Sequence, residues 1–497
     1  MRHAAASVSL EPSQLADSVA AAVRGGGRLA ALVATARRDG ATELRALVAS
    51  AGDLTSFETT LGPGADRYPG LTPLVPAAAW YEREIHDLFG IEPIGHPRLD
   101  PLVLPLRPDV RRPRPGNPDK PPRLEPDLAS LPRHVSGEGV FTIPYGPVRS
   151  GVFESVEYLV ETPGEDIPHL RTRVYHKHRG IERRFGELEV DDAVLLAERV
   201  EGTVSVAHAT AFCQALETLG NVEPPRRAQL VRVVYAELER VAVHLDSIIR
   251  HTEGAGQAVA YARMTLHKEH ILRLRARLCG HRFARGVVVP GGVSGPLHLS
   301  PTDALAAVGA IDRAIADDTR ALMDTPSFLD RLRGTGILPA SAVAEHGALG
   351  PVGRGSGLVE DVRVRRPYGA YRFLGFEPAE GFIEGDALAR QSVRIEEIRH
   401  AFHLVRQALD ELAESETGPW RHEIPAPDGT AWSSVEAPQG ELLYLVEADA
   451  GQLTRVKPRC ASFHNLALFE RAFRGDILTD FVFIEASFGV SIAGVSG

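Results

Sequence analysis

Between Pro101 and His134 the chain loses every regular pattern. Prolines recur at Pro105, Pro108, Pro113, Pro115, Pro118, Pro121, Pro122, Pro126 and Pro132, interleaved with arginine and aspartate. Each proline removes a backbone donor and biases the residue before it toward extended structure, so this stretch reads as an extended linker. A chain of 497 residues is too long for one ordinary domain. The linker therefore divides it into an N-terminal domain over 1–104, a proline-rich connection over 105–137 and a larger domain over 138–497.

Residues 12–100 mix a short helix pattern (Leu15, Val19, Val23) with strand-like runs from Arg28 to Ala36 and from Thr42 to Ala49, an α+β module. After the linker come strand-like segments, Val152 to Glu161 and Arg171 to Tyr175, and then long helices. The clearest starts near Arg226, just after Pro224-Pro225, and runs to about Arg250; Leu230, Val234, Leu238, Val241, Leu245 and Ile248 fall on one face. A second runs from about Leu388 to Leu412, with Ile395, Ile398, Phe402, Val405, Leu409 and Leu412 alternating three and four apart. Tyr261 to Arg282 and Asp303 to Met323 are weaker helical patterns. Together they predict a mainly helical bundle with small sheets attached.

Composition narrows the function classes. Apolar residues at 44% and charged residues at 24% fit a soluble protein with a large core. A net charge of -10 argues against nucleic acid as a partner. No apolar run is long enough to cross a membrane, and no cleavable leader is visible at the N-terminus. Cys213, Cys279 and Cys460 are isolated, which fits a reducing cytoplasm rather than a disulfide framework or a zinc ribbon. No glycine-rich G-x-G-x-x-G element opens a helix after a strand, which argues against nicotinamide binding.

Two sets of motifs carry a family resemblance. The end of the first domain, Glu82-Arg83-Glu84-Ile85-His86-Asp87-Leu88-Phe89-Gly90-Ile91 followed by Gly95-His96-Pro97-Arg98-Leu99, resembles the 30 kDa (C) subunit of respiratory complex I. The second domain carries His178-Arg179-Gly180-Ile181-Glu182, Glu239-Arg240, His244-Leu245 and Pro290-Gly291-Gly292-Val293. Then come Gly350-Pro351, Gly355-Ser356-Gly357, Asp361-Val362-Arg363, Pro367-Tyr368, Gly385-Asp386, Arg390, Glu436 to Glu441 and Arg474-Gly475. In that order these are similar to the 49 kDa (D) subunit of complex I and to the large subunit of membrane-bound, energy-converting nickel–iron hydrogenases. The fused C/D arrangement looks like formate-hydrogenlyase-type large subunits. The resemblance implies an α+β complex I C-subunit-like domain linked to a mainly helical hydrogenase large-subunit-like domain.

The same resemblance locates a changed site. Glu198 to His208 corresponds to D-R-V-C-G-x-C-x-x-A-H, and Gly489 to Gly494 to D-P-C-x-x-C, so the four metal-ligand cysteines are replaced by Glu201, Val204, Ser491 and Gly494. The arginine of A-P-R-G is replaced by Gln439. A nickel–iron pair needs soft thiolates, so the ligand count argues against that centre here and against independent hydrogenase activity. Complex I reads D-R-L-D-Y at the same place, making Glu201 the acidic residue and Gly202 the replacement for the tyrosine. The loop Gly146-Pro147-Val148-Arg149-Ser150-Gly151 lacks the family's histidines, which argues against ordinary quinone reduction.

What remains is ionisable. His178, Glu182 and Glu201 are the candidate proton relay, with a structural Arg–Glu pair as the equal alternative for the 178–182 motif. A buried core histidine is the favoured reading of His208. The resemblance implies a peripheral subunit of an oxidoreductase complex of the NADH-quinone oxidoreductase or hydrogenase-like kind. It would couple electron or proton transfer to ion transport on the inner face of the cytoplasmic membrane. Implied partners are an iron–sulfur small subunit (complex I B-subunit-like), which would hold the clusters, and antiporter-like membrane subunits; no cofactor is expected in this chain. The alternatives are a non-catalytic structural subunit and a hydrogenase or formate hydrogenlyase subunit by family label only. A relay would keep Glu201, Glu182 and His178 together at a buried cavity; a scaffold would fill that space with Val204, Ile492 and their neighbours.

Overall fold

The computed structural model describes residues 5–50, 52–107, 110–116, 139–149 and 154–497. The N-terminal module is built on strands β1 (Ala6–Ser9), β2 (Arg28–Ala36), β3 (Thr42–Ser50) and β4 (Asp53–Leu61), in the order β1-β4-β3-β2. Strand β1 is parallel to β4; the other pairs are antiparallel. Helices α1 (Leu15–Arg24) and α2 (Ala79–Phe89) pack on the sheet, and a short parallel pair, β5 (Arg67–Pro69) and β6 (Glu92–Ile94), flanks α2.

The second part opens with an antiparallel sheet of β7 (Phe141–Tyr145), β8 (Glu157–Thr162) and β9 (His169–Arg173), followed by α3 (Ile181–Phe185), α4 (Val190–Ala197) and α5 (Ser205–Leu219). Two long helices come next, α6 (Arg226–Gly254) and α7 (Ala258–Cys279), then the hairpin of β10 (Val288–Val289) and β11 (Gly292–Val293) and helix α8 (Pro301–Met323). Short helices α9 (Pro326–Leu332), α10 (Ala340–His346), α11 (Gly350–Arg354) and α12 (Val362–Arg365) lead into α13 (Ala387–Glu414). A three-stranded antiparallel sheet of β12 (Gly429–Ala437), β13 (Gly440–Asp449) and β14 (Gln452–Arg459) precedes α14 (Ala461–Phe469), α15 (Phe481–Phe488) and α16 (Ile492–Ser496).

The bundle is α6, α7, α8 and α13. Proline at the start of α6 costs nothing, because the first N–H groups of a helix have no partner within it. The predicted stripe Leu230, Val234, Leu238, Val241, Leu245 and Ile248 is buried, as are Ile398, Phe402, Val405 and Leu409 of α13, which packs along α6. Each such side chain contributes about 1.5–3 kcal/mol by burial, so the α6–α13 seam is the central prop of the domain.

Strands β2 and β3 show why the first module is not free-standing. Both are buried almost throughout, although a sheet with one wet face alternates. One face meets α1 and α2, and β2 also meets β14 of the second part. Ion pairs cross that boundary: Arg28–Glu441 at 2.6 Å, Arg45–Glu447, and Lys457–Glu84 at 2.7 Å. The Tyr81 hydroxyl lies 2.8 Å from His464 Nε2.

The first described part of the proline-rich stretch is not a loose spacer. Pro115 accepts from Ala36 N (3.0 Å), Arg114 N donates to Leu88 O (2.9 Å), and its guanidinium reaches Thr42 Oγ1 (2.7 Å). Proline loses its donor but keeps its carbonyl, and that acceptor docks the chain on β2. Residues 117–138, with the rest of the linker, and Val152 at the start of one strand-like run lie outside the described residues. That strand begins at Glu157, and the run predicted over 171–175 leaves strand geometry after Arg173 for a tight turn over Tyr175–Lys177. Among the described residues no helix is long and apolar enough to cross a membrane.

Candidate functional site

Three segments converge on the site: residues 198–204 after α4, the two-residue turn Pro438-Gln439 between β12 and β13, and residues 489–494 entering α16. Two charged groups hold them in place. The carboxylate of Glu239 on α6 accepts from Val206 N (2.8 Å) and Ala207 N (3.0 Å) and so caps α5, whose first turn carries His208. Arg179 donates to the carbonyls of Arg199 (3.1 Å), Val200 (2.6 Å) and Ala493 (3.2 Å), bolting the loop to the C-terminal helix. A carboxylate at a helix N-terminus and a guanidinium on carbonyls each satisfy groups that would otherwise be orphaned.

Glu201 is buried at the centre. His208 Nε2 lies 3.3 Å from its Oε1, and the Gln439 amide donates to its Oε2 at 3.4 Å. Behind it, His208 Nδ1 and the Tyr444 hydroxyl are 2.7 Å apart. Cys460 abuts the same carboxylate, and its thiol is pushed well up by burial and by the Glu201 charge. Burial, and then Glu201, likewise suppresses ionisation of Tyr444. The phenol therefore keeps its proton and can donate to Nδ1, while Nε2 faces Glu201 without a hydrogen bond.

The space beside Gly494 is taken. A Cβ at that position would lie 2.2 Å from Glu201 Oε1 and 2.7 Å from Cys460 Sγ. Val204 is wholly packed into the core. Ser491 caps α16, accepting from Gly494 N (3.2 Å) while donating to Glu154. Glu154 in turn accepts from Ile492 N and Ala493 N. Burial raises the pKa of Glu154, with Glu201 adding to the shift.

On the other side of Gln439 a cavity of about 470 Å³ opens. Gly202, Gln439, Ser491 and Ile492 line it, as do Lys177, Arg179, Glu154, His244 and Arg394. His244 is buried; burial pulls its pKa down to about 4, and its Nε2 lies 2.7 Å from Glu397.

Glu182 lies close enough to His178 to favour its charged form, but no hydrogen bond or ion pair joins the three relay candidates. Glu182 faces the first module: Arg455 and Lys457 both bind it, and Lys457 also binds Glu84. Burial opposes its ionisation, but those two cations outweigh burial and hold the carboxyl down to about 2. A group so fixed in its charged form exchanges no proton near neutral pH. His178 donates through Nδ1 to Ser496 O at 2.6 Å, and burial lowers its pKa. Of the three, Glu201 alone hydrogen-bonds to a wall residue of the cavity. Tyr444, which bonds His208, Cys460, which abuts Glu201, and Glu154, which holds the start of α16, are singled out by no sequence motif; their distance along the chain hides them.

The comparisons with known proteins agree with this architecture. The chain is 32% identical over 332 residues to the carbon monoxide-induced hydrogenase of Rhodospirillum rubrum, a match covering 65% of this chain and 90% of that protein. It belongs to the family of hydrogenase large subunits and complex I 49 kDa subunits. The family model of the respiratory-chain NADH dehydrogenase 49 kDa subunit matches residues 255–425 and 419–496, and that of the 30 kDa subunit matches 14–118. Formate hydrogenlyase subunit 5 of Escherichia coli is 28% identical over 436 residues, 83% of this chain and 74% of its own length. The C/D subunit of the NADH-quinone oxidoreductase of Gluconacetobacter diazotrophicus is 28% identical over 496 residues, 90% and 82% of the two chains. The fused C/D organisation thus holds in this member of the family.

Proposed function

We propose that this chain is a peripheral subunit of a membrane-bound oxidoreductase complex, in which the Glu201 site couples electron or proton transfer to ion transport without a nickel–iron centre. The observation that carries the reading is the buried Tyr444–His208–Glu201 series ending at the cavity wall beside Gln439. Three titratable groups in line, screened from water, can hold a proton and pass it toward the cavity.

The residues present do not fit a thiolate-held metal pair. The four positions supply one carboxylate and one hydroxyl, and Glu201 already occupies the room a side chain at 494 would need. Cys460 is the thiol at hand, and burial keeps it protonated. A quinone fares little better: Tyr158, the phenol of the cavity wall, donates to Glu485 at 3.1 Å. Iron–sulfur clusters belong in this reading to a partner small subunit, and antiporter-like subunits supply the membrane part, placing the chain on the inner membrane face. The tight packing around Gly494 and Val204 also favours a second reading, a subunit that only braces its neighbours.

The test is affinity capture of tagged chain from detergent-solubilised membranes. Co-purification with an iron–sulfur small subunit and antiporter-like proteins is expected; a chain recovered alone refutes membership. Within the captured complex, Glu201→Gln should leave the set of co-purifying partners intact and abolish proton-coupled turnover. Unchanged turnover would leave the bracing role.

A further inference from the structure

The charges around the cavity do not balance. Of its basic side chains, Arg149 is spent on Glu485 (2.6 Å) and Lys268 on Asp246. The third wall carboxylate, Glu154, is held by the N–H groups of Ile492 and Ala493 and the Ser491 hydroxyl, so it answers the end of α16. Lys177, Arg179, Arg199, Arg250 and Arg394 line the same cavity.

Two of these are solvated by neutral groups. Arg394 donates to the carbonyls of Arg390 (3.0 Å) and Phe488 (3.1 Å). It is buried, and burial pulls its pKa down to about 10 although Glu397 works the other way. Gly489 makes room for that guanidinium: a Cβ there would lie 2.9 Å from Arg394 Nη2. Arg179 also donates to carbonyls, and its Nε is buried with no hydrogen-bond partner. Lys177 makes no ion pair among the described residues, and Arg199 stands half-exposed at the rim beside Glu198 (3.5 Å). Glu154 and Glu201 favour the Arg179 charge and Glu397 that of Arg394, but among the described residues no carboxylate is in ion-pair contact with either guanidinium, so an incoming anion meets donors that no contact neutralises. Val243, Leu272, Phe283 and Val490 supply an apolar part of the lining.

We propose that the cavity binds an amphiphilic oxyanion, its carboxylate or phosphate head among Lys177, Arg179, Arg394 and the rim guanidinium of Arg199 and its apolar body against Val243, Leu272 and Phe283. Guanidinium groups match carboxylate and phosphate oxygens in charge and in fork geometry. At about 30 Å³ per water, the volume holds far more than a bare inorganic ion. The cavity is thus a recognition site for a negatively charged substrate or lipid head rather than for a neutral ring. This inference assigns a ligand class to the site of the preceding proposal, but its test needs no partner subunit, so the two fail separately.

The purified full-length chain is titrated calorimetrically with hexyl phosphate, hexanoate and, as the uncharged control, hexanol. Vesicles of phosphatidylglycerol and of phosphatidylcholine form a second arm. Hexyl phosphate or hexanoate should bind, with affinity falling as salt rises, and hexanol should not. Lys177→Met and Arg199→Gln, both on accessible positions, should each weaken the anion by roughly tenfold, the cost of one charge-assisted hydrogen bond. Binding confined to phosphatidylglycerol vesicles and lost in the same variants identifies a lipid head as the source. Hexanol binding as well as the anions would overturn the proposal, as would no binding in either arm or affinities that both variants leave unchanged.

Discussion

Gly494→Ala is the sharpest probe of whether Glu201 fills the space beside position 494. Gly494 lies inside α16, where alanine is normally better than glycine by about 0.5–1 kcal/mol. Here the new Cβ would meet Glu201 Oε1 at 2.2 Å and Cys460 Sγ at 2.7 Å. The carboxylate has little freedom to withdraw, because His208, Gln439 and Cys460 surround it. Overpacking of this kind costs about 1–3 kcal/mol, which outweighs the helix gain. The variant should therefore be destabilised by roughly 0.5–2 kcal/mol. In a Glu201→Ala, Cys460→Ala background both obstacles are gone, and the same substitution should become neutral or stabilising. A thermal unfolding series over the four proteins reads the sign directly: parent, Gly494→Ala, the double background and the triple variant. A Gly494→Ala protein as stable as the parent, or a penalty that persists in the cleared background, refutes the placement of Glu201.

Three further outcomes follow from buried charges. Glu182, held down to about 2 by Arg455 and Lys457, contributes stability that is complete above about pH 4.5 and is lost as pH falls toward 2. Glu182→Gln should lower stability at neutral pH by on the order of 3 kcal/mol and flatten the acid limb of a plot of unfolding midpoint against pH. His244, His251 and His464 are buried neutral, with burial drawing their pKa values to about 4, 4 and 3. The unfolded chain takes up protons first, so stability should begin to fall below about pH 6.5, earlier than carboxylate titration alone would produce; His464→Gln should delay the onset. Glu239→Gln replaces a two-oxygen cap by one oxygen and leaves one α5 N–H unpaired, costing about 1–3 kcal/mol in a denaturant melt.

How much of the fold and site is legible in the sequence depends on the range of the interaction. The α6 and α13 stripes are visible because a helix face repeats every three or four residues, and both helices form within a few residues of the expected ends. The sheet of β12–β14 carries no such signal beyond the motif at its turn: its strands are buried nearly throughout, without the alternation that marks a half-exposed strand. Glu201 is legible because a carboxylate stands where a thiolate is expected. Its neighbours are not: Tyr444 is more than two hundred residues from His208, and no local spacing relates them. Glu182 is misread as a relay group for the same reason, since its charge is explained by Arg455 and Lys457 on β14.

The motifs that give the family away have a structural role that does not depend on a metal. Arg240 binds Glu237 and the carbonyls of Glu436 and Ala437; Arg363 binds Asp361 and Glu237; Arg354 joins Glu397, Glu436 and Asp361; and Arg390 spans the carbonyls of Gly336 and Gly385. All four arginines are buried. Removing one partner from such a pair costs about 3–5 kcal/mol, because the other charge is left uncompensated. Each of the four arginines makes at least one tie to a segment distant in sequence, so together they fix how α6, α11, α12, α13 and β12 are set against one another. A metal ligand at the cavity edge carries no such burden. Glu201, Val204, Ser491 and Gly494 each make local contacts that stand without a metal: a partner for His208, a core contact, a helix cap and a small residue beneath a carboxylate. The scaffold and the metal chemistry are therefore separable in physical terms. A chain can keep the fold and its cavity through the buried charges whichever groups stand at the cavity edge.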